Sequence, residues 1–78
     1  MTDLYPPADD REDVRRTAAA HTAASRDVEA FLRRLPEAPG AADVAEYAAL
    51  LAREELLRME RQAAADTAGL LLPSRDQT

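Results

Sequence analysis

The chain has 78 residues, a net charge of −5 and no cysteine. This fits one small domain and excludes disulfides, thiolate nucleophiles and zinc-thiolate sites. All ten cations are arginine, so Schiff-base and phosphate-loop lysine chemistry is also excluded, and the acidic balance argues against nucleic-acid or anionic-membrane binding.

Residues 1–8 read as an extended arm, because Pro6 and Pro7 disfavour helix and push their neighbours towards extended backbone. Asp9 or Asp10 then offers an N-cap, and Asp9 with Glu12 has the spacing of a capping box. A first helix is predicted over about residues 10–35. Val14, Thr17, Ala18, His21, Ala24, Ser25, Val28, Phe31, Leu32 and Leu35 recur at steps of three and four. They fill an arc of roughly 140°, with the arginines outside it. Ser25 is the one place where this helix could break, since it could cap a separate segment.

Pro36 to Gly40 punctuate the chain, and so short a loop sets neighbouring helices antiparallel. The second helix is predicted over about residues 41–68, with Asp43 and Glu46 spaced as a capping box. Gly69 is placed to end it in a left-handed turn, Leu70 follows, and Pro73 confirms the stop. Residues 9–72 thus form the helical body, and residues 73–78 a polar tail. The fold class is all-α, an antiparallel two-helix hairpin.

Two features point to association. Apolar residues make up 46% of the chain, but 18 of those 36 are alanine, which favours helix and buries little surface. Scaffolds with so thin a core recruit disulfides, metal or a second copy, and disulfides are excluded. The second helix also carries more apolar surface than one neighbour can cover. Val44, Tyr47, Ala48, Leu51, Ala52, Leu56, Met59, Ala63 and Leu70 form a broad face, and Leu50 and Leu57 point to the opposite side. A homodimer making a four-helix bundle is expected, with Leu50 and Leu57 in its interface beside Tyr47, Leu51 and Phe31. A larger protein partner is the other candidate for this surplus.

His21 is the sole histidine and lies within the apolar stripe, with Thr17 and Ser25 one turn away on either side. A turn near residue 38 places it level with Glu55. Such a pair could form a polar pocket for a small ligand, a metal or acid–base work. The plainer reading is a hydrogen-bonded core histidine that fixes register. No Glu-x-x-His motif is present, so no metal site is assigned. Glu54, Glu55, Glu60 and Asp66 read as a solvated face, with Glu54 and Arg58 as an i, i+4 pair. Arg15, Arg26 and Arg33 share a flank and are expected to pair with acids of the second helix. Leu4 to Pro7 and Leu70 to Pro73 are apolar enough to anchor a partner, but folding back over the helix ends is the simpler expectation.

No catalytic residue, cofactor, nucleic-acid or membrane partner is indicated. With no secretory-signal pattern legible, the cytoplasm is the expected compartment. The leading functional expectation is a small non-enzymatic interaction module or accessory subunit acting through protein contacts. The alternative is a ligand-binding or catalytic bundle using His21 and Glu55. An acidic antitoxin or anti-sigma-like regulator fits the size and charge but has no motif behind it.

Overall fold

The computed structural model describes residues 8–70. It holds two helices packed against each other, α1 (Ala8–Arg33) and α2 (Ala41–Thr67). Among the described residues no helix is long and apolar enough to cross a membrane. The arm and tail expected from the sequence lie almost wholly outside the described residues.

Helix α1 starts at Ala8, so Asp9 and Asp10 sit inside its first turn rather than before it. Both acids still lie at the positive end of the helix dipole, where negative charge is favourable. The helix runs unbroken past Ser25. It then tightens into i→i+3 bonds, Arg34 N–H to Phe31 C=O (3.2 Å) and Leu35 N–H to Leu32 C=O (3.4 Å). Pro36, which cannot extend a helical bond ladder, follows directly.

Helix α2 is capped by Gly40, whose N–H donates to the Asp43 carboxylate at 2.9 Å. Asp43 therefore acts from the third helical position, not as the cap itself, and Glu46 is free to bond elsewhere. At the other end Gly69 takes φ +79°. Leu70 N–H reaches Ala65 C=O (2.8 Å) and Gly69 N–H reaches Asp66 C=O (3.1 Å). This is a Schellman motif, and it satisfies carbonyls that a helix end otherwise leaves orphaned.

The seam between the helices follows two heptad series. On α1 it runs Val14, Thr17, His21, Ala24, Val28 and Phe31, of which Thr17, Ala24 and Phe31 are buried and the rest half-buried. On α2 it runs Tyr47, Leu50, Glu54, Leu57, Arg61, Ala64 and Ala68, with the two alanines buried. Alternating steps of three and four keep both rows facing each other along the whole contact. Phe31, 2% exposed, is the largest fully buried side chain among the described residues. Its ring stacks on Tyr47 with centroids 5.7 Å apart, a favourable arrangement beyond the area it buries.

The face of α2 turned to α1 is thus not the broad one that the sequence suggests. Leu50 and Leu57 are half-buried on the seam. They flank Glu54, which bonds α1 directly. Val44, Leu51, Leu56 and Met59 point away and stay 39–61% exposed. The physical reason is polar. In the observed rotation polar contacts cross the seam at His21–Glu54, His21–Arg61, Asp27–Arg53 and Arg34–Glu46.

Candidate functional site

Two places stand out: the histidine contact in the lower half of the seam, and the uncovered face of α2 with the groove at the elbow.

Packing of α1 on α2 leaves the His21 side chain 17% exposed and that of Glu54 25% exposed. The His21 Nε2 lies 2.6 Å from Glu54 Oε2, and His21 Nδ1 lies 3.2 Å from the Arg61 guanidinium. A guanidinium can only donate, so Nδ1 accepts and Nε2 donates to the carboxylate. Both ring nitrogens are engaged, and the ring is locked between two residues of α2 one heptad apart. Thr17, one turn before His21, is 5% exposed. Its hydroxyl donates back to the carbonyls of Asp13 (2.8 Å) and Val14 (3.1 Å) and so is satisfied within its own helix. Ser25 is half-buried one turn further on.

Glu55 is not the partner of His21. It is exposed and bonds Arg58 at 2.5 Å. That hydrogen bond, with the adjacent positive charge, holds the Glu55 carboxyl below the usual carboxylate range. The expected Glu54–Arg58 pair is replaced accordingly. One residue of helical phase separates the two glutamates, and the rotation of α2 selects Glu54. Arg61 had no signal in the apolar pattern, but it falls in the same three-four series as Tyr47, Leu50 and Leu57. That series was the available clue. The arginines of α1 also differ from expectation. Arg15 and Arg33 pair within their own helix, with Glu12 and Glu29, while Arg34 and Arg53 form ion pairs with acids across the seam and Arg61 meets His21 there.

Beside Thr17 the facing side chains are small, and an open cleft of about 290 Å³ lies between the helices. Asp13, Arg16 and Glu60 line its rim, with Arg16 bonded to Asp13. Among the described residues no group of three or more histidine, aspartate or glutamate side chains could hold a metal ion.

The second place is apolar. At the elbow, Leu32, Leu35, Pro39, Val44 and Tyr47 surround a groove of about 180 Å³ floored by Phe31. Arg34 lies over the Phe31 ring, 5.1 Å from its centroid, and bonds Glu46 at 3.0 Å. These contacts fix the groove wall through a cation–π contact and a charge-assisted hydrogen bond. From Val44 the exposed apolar face continues along α2 through Ala48, Leu51, Ala52, Leu56 and Met59 to Ala63. Of the five residues expected at an interface, Leu51 lies on this face. Tyr47 touches its edge through the groove, Phe31 forms the groove floor, and Leu50 and Leu57 lie on the seam.

Fold and surface together define the class: an antiparallel α-hairpin with one closed seam and one open apolar face. In comparisons with known proteins, no family model, no curated protein and no solved structure matches the chain.

Proposed function

We propose that the protein is a non-enzymatic assembly module that pairs with a second copy of itself through the outward face of α2, forming a four-helix bundle. One observation carries this reading. Val44, Leu51, Leu56 and Met59, all 39–61% exposed, share one side of one helix with alanines and Glu55 between them. Large side chains scattered singly over a surface need no explanation, but four of them gathered on one side of a helix favour an interaction surface. A second helical pair laid on that row removes it from water, and a symmetric dimer is the commonest way a hairpin achieves this.

Light scattering on the full chain tests the proposal. The expected mass is twice the 8.5 kDa of one chain. Two substitutions then separate the faces. Leu56→Glu is expected to give a helical monomer, and Leu50→Glu to cost helicity itself by disrupting the seam. A wild-type mass of one chain across the micromolar range overturns the reading.

His21 serves registration in this proposal. With both nitrogens engaged, it offers no free lone pair to a metal and no free proton acceptor to a substrate. The ligand-binding alternative predicts that divalent metals or anionic metabolites raise the melting temperature, and that His21→Gln removes the rise. An unchanged melt in their presence supports the structural role.

A further inference from the structure

The ring of His21 is held on each side by a group of fixed hydrogen-bonding character. Glu54 Oε2, 2.6 Å from Nε2, is a carboxylate oxygen and accepts. The Arg61 guanidinium, 3.2 Å from Nδ1, can only donate. The two contacts together therefore need the neutral ring with its hydrogen on Nε2. A second proton enters at Nδ1, where it turns the acceptor that Arg61 uses into a donor and sets two cations side by side. The Glu54 contact survives that change and becomes charge-assisted on both sides. We infer that His21 is a proton-controlled latch for Arg61: the neutral ring holds both Glu54 and Arg61, and the protonated ring keeps Glu54 and releases Arg61.

The groups around the ring leave Arg61 as the partner that must move. From α2, Glu54 and Arg61 bond the ring. Glu55 bonds Arg58, and that bond, with the nearby charges of Arg58 and His21, lowers its carboxyl. From α1, the Thr17 hydroxyl is occupied by carbonyls of its own helix, and Arg16 bonds Asp13 at the cleft rim. Of the two ring contacts the one at Nδ1 is exposed and the one at Nε2 part-buried, so solvent protons reach the nitrogen that has to take them. Histidine is the side chain whose ordinary charge change falls between about pH 5 and 8.

The position of the latch gives the release its effect. The ion pairs Asp27–Arg53 and Arg34–Glu46 cross the seam on the elbow side of His21. On the other side lie small buried residues, Thr17 on α1 and Ala64 on α2, beside the open cleft that both line. Losing Arg61 loosens that end of the hairpin and leaves the elbow end closed, a local opening rather than a global one.

The latch does not depend on how many copies assemble, so the full chain at one fixed concentration serves for the test. Arg61→Met keeps the side chain long and removes its donors. It is expected to raise the unfolding constant in urea about 3- to 10-fold at about pH 8, and less than about twofold at about pH 5. In a His21→Gln background, where the amide can accept from Arg61 and donate to Glu54 at either pH, Arg61→Met is expected to act equally at both. An effect of Arg61→Met that does not differ between the two pH values overturns the inference. So does a difference that persists beside His21→Gln, because it then belongs to another group. The wild-type chain gives an independent reading by nuclear Overhauser contacts. The His21 ring is expected to meet Glu54 at both pH values and Arg61 only at the higher one. An Arg61 contact that persists beside a doubly protonated ring overturns the latch whatever the variants do. Contacts between Phe31 and Tyr47 are expected to hold at both pH values while those between Thr17 and Ala64 weaken at the lower. Equal intensities at both overturn the local opening.

Discussion

His21 ties the two helices together through both ring nitrogens, each of which meets a different turn of α2. Two outcomes follow at this scale. Long-range proton–nitrogen correlation spectra of the folded chain are expected to show the Nε2–H tautomer, since Arg61 can only donate to Nδ1. Glu54→Ala is expected to cost about 1–3 kcal/mol in urea unfolding, and a double-mutant cycle with His21→Ala should show the losses to be non-additive. Glu55 behaves differently. Its Arg58 partner depresses the carboxyl, so any stabilisation is present above the ordinary carboxylate range and lost as pH falls through the lowered value. Both side chains are about half exposed, and the effect is screened by solvent and salt. Glu55→Gln is thus expected to change the acid limb of a thermal melt only slightly, and not at all in about 1 M salt. Gly69 is a backbone matter. A methyl group there meets nothing within 4 Å, but φ is +79°, so Gly69→Ala is expected to cost about 1–2 kcal/mol through strain alone. An unchanged melt would refute that account.

At the scale of elements, α1 was legible because it has a single apolar stripe. Every member of its seam from Val14 to Phe31 can be read from the three-four recurrence. Its start was misplaced by two residues, because acids at 9 and 10 suit both an N-cap and a first turn. The C-terminus of α2 was legible for a simple reason: a glycine with an apolar residue directly after it, Gly69–Leu70, is the pattern of a left-handed helix end. The face of α2 was not legible. It has two apolar rows, one with larger exposed surface and one in strict heptad phase, and hydrophobicity alone favours the wrong row. Phe31→Ala tests which contact anchors the elements. It removes a buried ring stacked on Tyr47 and covered by Arg34 and is expected to cost about 3–5 kcal/mol. For a hairpin this small, such a loss should appear as collapse of the helical circular-dichroism signal at room temperature.

For the whole molecule, the decisive quantity is how stability depends on concentration. If two copies share α2, the melting temperature rises with protein concentration by mass action, and Leu56→Glu abolishes that slope while Leu50→Ala only lowers the whole curve. A melt independent of concentration over a hundredfold range would leave the open face without a role. The sequence by itself determined that the chain is helical, where it turns, and that it carries more apolar surface than a hairpin can hide. Local propensity, proline and glycine placement, and composition act on short stretches and need no partner to be read. Only the tertiary structure decided which row of α2 is hidden. Two candidate rows differ by half a turn of helix, and the choice falls to pairs distant in sequence: a histidine needing a carboxylate, a phenylalanine needing a ring, and two arginines needing acids across the seam. Such preferences are invisible along one helix and become energies only when the second is laid against it.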